Sequence, residues 1–215
     1  MARSSAHQTI LPILHEIHHR TANEFQSVLS VLSLRRDGPE ERARRIEAAF
    51  DRISHIGTLH RAIYEGANSI YFDAHCTGLV ESVFGAFGRP DLKAEMQLDA
   101  VITSDLHRLI LTLILVELVW NSLKHGLNRA ISGSVHLKLT QETSGDVVLV
   151  VSDSSGSQYP RPLPYPRLVR LLAACVGGLV EVSGENGYVV TVRLPPAQAL
   201  EARSAYDGSD IPALA

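Results

Sequence analysis

The sequence has few cysteines, little net charge and no apolar run long enough to span a bilayer. Its two cysteines, Cys76 and Cys175, lie far apart and form no CxxC pair, so neither a disulfide framework nor a zinc site is indicated. The formal net charge of -3 gives no electrostatic reason to expect nucleic acid or an anionic membrane as a partner. The most apolar run, LILTLILVELVW, is too short for a membrane helix and contains Glu117. These features predict a cytoplasmic protein with no resident metal.

The chain is long and apolar enough to fold without disulfide bonds or structural metal ions. Its 215 residues, 45% of them hydrophobic, leave room for one large domain or two small ones. Near the N-terminus, apolar residues recur every three or four positions, which predicts a helix with one apolar face: Ile10, Leu14, Ile17, Phe25, Val28 and Leu32. The segment RRDGPEER then ends this helix and opens a second one over residues 39–64.

These two helices form a hairpin that cannot bury both of its apolar faces. The second helix repeats the pattern with Ile46, Phe50, Ile53, Ile56, Leu59 and Ile63. Because a hairpin leaves one side of each apolar stripe open to water, a second copy is expected to close a four-helix bundle. The sequence therefore predicts a homodimer, unless the hairpin packs on the rest of its own chain as a monomer.

The pattern changes after residue 67 to short mixed elements. We predict helices at 74–87, from a Thr103 or Ser104 cap to Gly126, and in PRLVRLLAACVGG. The predicted strands are 93–98, SVHLKLTQ, DVVLVVSD and the final hairpin LVEVSGENGYVVTVRL. This order indicates an α+β protein whose second part is an α/β sandwich with helices on one face of the sheet. The predicted domains are 1–67 and 68–196, followed by a flexible tail at 197–215.

The stretch LHEIHHRTANEF is unusually rich in titratable groups for an amphipathic helix. Side chains three and four apart share a face, so His15, His19 and Asn23 form one row, with Glu16 beside His19 and Arg20. A histidine outside the core and near a carboxylate is suited to act as a nucleophile toward a docked protein. The alternative is an ordinary solvated helix face.

The order of residues in this stretch resembles the phosphoacceptor segment of the histidine kinases grouped as HWE and HisKA_2. The matching residues are Glu16, His19, Arg20 and Asn23, while His18 is off the pattern. The resemblance implies that His19 is the phosphorylated residue and that residues 1–67 form a dimerisation and histidine phosphotransfer domain.

The resemblance continues in LILVELVWNSLKHG, which is similar to the N-box of the kinase ATP-binding (GHKL or Bergerat) domain. Glu117, Asn121, Lys124 and His125 stand in the matching places. In that family the asparagine holds the magnesium ion of ATP, so Glu117, Asn121 and Asp153 are the nucleotide-binding positions that the resemblance implies here.

The nucleotide-binding pattern breaks after the second central strand. The family has an Asp-x-Gly-x-Gly turn, whereas VVSDSSGSQYP keeps Asp153 but has Ser155 and Ser157 at the glycine positions. The family's glycine-rich phosphate loop is replaced by prolines at 160, 162, 164 and 166, each of which lacks a donor N–H. We therefore expect a vestigial nucleotide site and no bound ATP.

Without ATP, the histidine can still exchange phosphoryl groups with receiver domains. We predict a histidine phosphotransferase of a two-component phosphorelay, in which His19 moves phosphoryl groups between receiver aspartates and each receiver supplies the magnesium. Arg20 would neutralise charge, Glu16 would orient the ring, and Asn23 would position water or the phosphoryl group. The alternatives are a divergent ATP-dependent autokinase without its own sensor and a non-catalytic module that sequesters a response regulator.

Overall fold

The computed structural model describes residues 22, 23, 26, 28, 38–66, 72–127, 130–155, 166–184 and 188–196. In chain order its elements are helices α1 (Pro39–Gly66) and α2 (Phe72–Phe87), strand β1 (Leu92–Leu98), helix α3 (Asp105–Asn121) with a π-helical end (Ser122–Gly126), strands β2 (Gly133–Gln141) and β3 (Val147–Asp153), helix α4 (Arg167–Ala174), and strands β4 (Leu179–Ser183) and β5 (Val189–Leu194). Ala22, Asn23, Gln26 and Val28 are helical. Each predicted element that falls on described residues is therefore present.

Helix α1 has three faces with different surroundings. It begins at Pro39 with Glu40 and Glu41 in its first turn, where acidic side chains favour the helix dipole. Ala49 and Ile56 are buried on one side, and His55 and Thr58 are buried on another. The third side carries a stripe that remains in water: Ile46, Phe50 and Ile53, which are 54%, 61% and 48% exposed.

Helix α3 is the centre of the core. Ser104 is its N-cap, with an oxygen that accepts a hydrogen bond from the His107 backbone N–H at 3.3 Å. Its apolar residues are buried all round, because α1, α2, α4 and the sheet surround it. The run LILTLILVELVW alone was predicted to be too short for a membrane helix, but the whole helix Asp105–Gly126 is long and apolar enough to cross a membrane by length and composition. In the fold, 78% of its most apolar window is buried.

The end of this helix differs from the prediction of a continuous α-helix to Gly126. From Ser122 the backbone widens into a π-helix, and the N–H of Leu127 donates to the carbonyl of Ser122 at 2.9 Å. Short π-helical segments inside helices are frequent at functional sites. The widened turn carries Lys124 and His125, two of the four N-box residues.

The five strands form one sheet in the order β1-β2-β3-β5-β4. Strands β1 and β2 are parallel, starting from the pair Leu92 and Gly133, and the other three pairings are antiparallel. Alternate residues of the central strands, such as Val135, Leu137 and Leu139, are buried against the helices, and those between them face outward. The α+β fold with helices on one face of the sheet is confirmed.

Helix α1 packs directly on α2 and α3. One side of α1 thus rests on the α/β part of the same chain, and packing of this kind was the alternative to dimerisation that the sequence left open. The stripe of Ile46, Phe50 and Ile53 points elsewhere and stays exposed, so the reason to expect a second copy remains on that face. The boundaries at 67 and 196 stay predictions.

Candidate functional site

Of the predicted phosphoacceptor row, the structure describes only the last residue, Asn23. Asn23 is helical and exposed, as expected for a residue outside the apolar stripe, and Val28 of that stripe is buried. Glu16, His19 and Arg20 lie outside the described residues, and so does His15. Their roles stay predictions.

The N-box residues lie on the last turns of α3 and on its π-helical end. Glu117 is buried, with 4% of the residue exposed, and Asn121 follows one turn later, half-buried. His125 is exposed at the surface, yet partial burial of its ring lowers its pKa, with Lys124 acting in the same direction and Glu117 in the opposite one.

Glu117 faces helix α1. Its Oε2 lies 3.4 Å from Nε2 of His55, and the two side chains are 5% and 7% exposed. The His55 ring also stacks on Trp120, with ring centroids 4.5 Å apart and planes inclined by 16°. Sequence reasoning missed His55. The signal available was its position nine residues after Ile46, which places it on the opposite side of α1 from the exposed stripe.

Asp153 ends β3 with its carboxylate already occupied by protein donors. Oδ1 accepts hydrogen bonds from the backbone N–H of Ser155 at 3.1 Å and from the Ser155 hydroxyl. Both residues are 5% exposed. A glycine at position 155 would have no hydroxyl, so the serine that breaks the family's turn is also the residue that bonds the aspartate.

Tyr188, which immediately precedes β5, lies close to Asp153. The backbone N–H of Asp153 donates to the carbonyl of Tyr188 at 3.3 Å. Burial raises the pKa of the Tyr188 phenol to about 12, the charge of Asp153 acts in the same direction, and that of Arg170 opposes it. Asp153 therefore lies beside two buried residues with hydroxyl groups, Ser155 and Tyr188, where the end of β3 meets the start of β5.

The structure brings the end of the N-box helix and the end of β3 together at Gly133. A Cβ atom at Gly133 would lie 2.7 Å from a Leu127 methyl and 2.9 Å from Ser154 Oγ, so only glycine permits this approach. The backbone N–H of Ser134 donates to Ser154 Oγ at 2.8 Å, and the N–H of Ser154 donates to the Ser134 carbonyl at 3.0 Å. The two halves of the implied nucleotide site thus adjoin one another.

The proline-rich segment is described only at its last residue. Pro166 precedes α4 and provides no side-chain cap, while its carbonyl accepts from the N–H of Arg170 at 3.0 Å. Ser157 and the prolines at 160, 162 and 164 lie outside the described residues. Among the residues that the structure does describe, no group of three or more His, Cys, Asp or Glu side chains could hold a metal ion.

Comparison with known proteins relates the N-terminal part of the chain to a family. The family model HisKA_2, described as histidine kinase, matches residues 16–87. No curated protein matches the sequence. The sequence resemblance to HisKA_2 is thus confirmed over the hairpin and α2.

The fold is similar to that of solved histidine kinases. The histidine kinase domain of a blue-light activated kinase from Erythrobacter litoralis matches with a TM-score of 0.59 and 18% identity, over 84% of this chain and 98% of that one. A longer chain of that kinase matches with a TM-score of 0.56 and 19% identity, over 87% of this chain and 64% of that one. The histidine kinase AdeS of Acinetobacter baumannii matches with a TM-score of 0.50 and 12% identity, over 85% of this chain and 96% of that one. At these identities the likeness concerns the fold.

Proposed function

We propose that this chain, a HisKA_2 histidine kinase relative by its residues 16–87 and by its fold, is a histidine phosphotransferase that carries phosphoryl groups through His19 without binding ATP. The relationship to histidine kinases supports a role in two-component signalling. The finer statement rests mainly on one observation, the hydrogen bonds that Ser155 donates to the Asp153 carboxylate.

An adenine amino group would meet an Asp153 carboxylate whose Oδ1 already accepts two hydrogen bonds from Ser155. The hydroxyl and the backbone N–H are held two residues away in the same turn, so they reach Oδ1 without any loss of translational freedom. A hydrogen bond to a charged acceptor contributes about 1.5–3 kcal/mol, so the Ser155 contacts stabilise the arrangement of this turn without a nucleotide. Two other features also disfavour nucleotide binding. Glu117 lies against His55, and prolines replace the glycines before α4.

Transfer through His19 needs no nucleotide. A ring nitrogen of neutral His19 attacks the phosphorus of a receiver's aspartyl phosphate, the bond from phosphorus to the carboxylate oxygen breaks, and the aspartate leaves as a carboxylate. The reverse step passes the phosphoryl group to a second receiver. Because the transition state is loose, the chief demands are in-line position and charge stabilisation by the receiver's magnesium. Glu16, Arg20 and the exposed Asn23 are proposed to orient and assist.

A homodimer would present two such histidines on one bundle. The exposed stripe of Ile46, Phe50 and Ile53 supports this assembly, because each side chain is about half in water and spaced for one helix face. Burying them against a second copy contributes on the order of 1 kcal/mol per side chain. Response regulator receivers in the cytoplasm are the proposed partners, with no role for nucleic acid or a membrane.

A divergent autokinase is the second candidate. It is favoured by the retention of Glu117, Asn121 and Asp153 on adjoining elements. A sequestering module is a third candidate and predicts that His19→Ala leaves function intact.

The test is calorimetric titration with Mg-ATP together with incubation in γ-labelled ATP. We expect neither heat of binding nor label. In the second arm, receiver domains charged with labelled phosphate are mixed with wild-type protein and with His19→Ala, and label is expected only on the wild type. Tight Mg-ATP binding with label on His19 would establish the autokinase instead. Equal labelling of the variant would remove His19 from the pathway.

A further inference from the structure

We propose that His55 is a positioning residue, a latch that holds helix α1 in one orientation on the α/β part of the chain. This inference concerns how the two parts of the molecule are joined. It holds whether His19 receives its phosphoryl group from a receiver or from ATP.

The latch consists of His55 on α1 and two residues three apart on α3. The imidazole makes two different contacts, a polar one with the Glu117 carboxylate at 3.4 Å and a stack on Trp120 at 4.5 Å between ring centroids. Phe87, at the end of α2, meets the same indole edge to face at 5.0 Å and 72°. One side chain thus ties α1 to a cluster formed by α2 and α3.

Both contacts depend on the rotation of α1. Apolar burial is non-directional, so apolar side chains alone fix the rotation of a helix less sharply than directional contacts do. The pair with Glu117 and the stack on Trp120 require His55 at one angle, and a rotation of α1 by one residue, roughly 100°, would break both. The latch therefore specifies the orientation as well as the contact.

Because both side chains are buried, separating His55 from Glu117 is energetically unfavourable. The side chains of His55 and Glu117 are 7% and 5% exposed, so moving α1 away would strip the carboxylate of a buried polar neighbour. The carboxylate that the family resemblance assigns to the nucleotide site is used here to anchor the hairpin. We infer that α1 and the α/β part move as one body, so that a partner meets both as a single surface.

The sole tryptophan of the chain is Trp120, which gives the latch a built-in reporter. Acrylamide quenching of its fluorescence and hydrogen exchange of the α1 amides are measured in wild type, His55→Ala and His55→Gln. The control is His60→Ala, which removes an exposed histidine from the same helix. None of these readouts involves a phosphoryl group, so their outcome is separate from that of the proposed function.

We expect His55→Ala to raise the quenching constant at least twofold and to speed exchange in α1 at least tenfold, while exchange in β2, β3 and β5 stays as in wild type. His55→Gln, whose amide can donate to Glu117, should recover part of the α1 protection. His60→Ala should match wild type. Unchanged quenching and α1 exchange in His55→Ala would overturn the latch, and so would an equal rise across the sheet, which would make His55 an ordinary core residue.

The pairing itself is tested by combining His55→Phe, which keeps an aromatic ring on Trp120, with Glu117→Gln. If the two side chains act together, the double variant shows no more α1 exchange than the more affected single variant. Multiplying effects would mean that they act separately, and the polar half of the latch would be wrong.

Discussion

Replacing Ser155 by alanine is the most direct perturbation of the implied adenine position. The change removes the hydroxyl that bonds Asp153 Oδ1 and leaves the backbone N–H at 3.1 Å in place. A hydrogen bond to a charged group contributes about 1.5–3 kcal/mol, and the remaining donor reduces the loss, so we expect the free energy of unfolding to fall by about 1–2 kcal/mol. In a chain of this size that corresponds to a lower melting temperature by roughly 2–8 °C.

Urea unfolding followed by circular dichroism measures this loss. Ser183→Ala is the matched control, because Ser183 is exposed at the end of β4 and should change stability by less than about 0.5 kcal/mol. If Ser155→Ala were as stable as the control, the hydroxyl would not hold the buried carboxylate. The proposed loss of nucleotide binding would then lack its main structural basis.

Three other parts of the fold lead to further expected outcomes. Burial lowers the pKa of His107 below its ordinary 6.5, so below that pH the unfolded chain binds more protons than the folded chain. The free energy of urea unfolding should therefore be highest above pH 6.5 and decline below it, and the decline with pH should be smaller in His107→Gln. Phe50→Glu places a charge in the exposed apolar stripe and should convert the proposed dimer to monomer in light scattering, while a wild type that is already monomeric would refute the dimer. Gly133→Ala puts a Cβ atom 2.7 Å from a Leu127 methyl and should cost about 1–3 kcal/mol in thermal unfolding, an expectation that an unchanged melting temperature would contradict.

Glu117 and Asp153 both have protein neighbours in this fold. In the family resemblance both carboxylates serve a nucleotide. In this chain one lies against His55 of the hairpin, and the other accepts from Ser155. Buried carboxylates are costly without donors or cations nearby, so each needs such a neighbour in the folded chain. Their persistence therefore does not require ATP.

The sequence alone determined where most described elements begin and end. Pro39 opens α1, Ser104 caps α3, and alternation locates the strands, with bounds within two residues of the predictions. The exception is α4, which was predicted to continue to Gly178 and ends at Ala174. Caps, turns and periodicity depend on residues within a few positions of one another, so they can be read from the chain directly. Ser155 at a glycine position was visible for the same reason.

Only the tertiary structure decided what these side chains contact. His55 and Glu117 are separated by α2 and β1, and no local pattern indicates that they meet. The widening of the N-box helix into a π-turn likewise accompanies its packing beside β3, and the local sequence predicted a continuous α-helix. Such contacts depend on how whole elements pack. The histidine-rich pattern was therefore visible in the local sequence, whereas only the fold showed that Glu117 and Asp153 have protein neighbours.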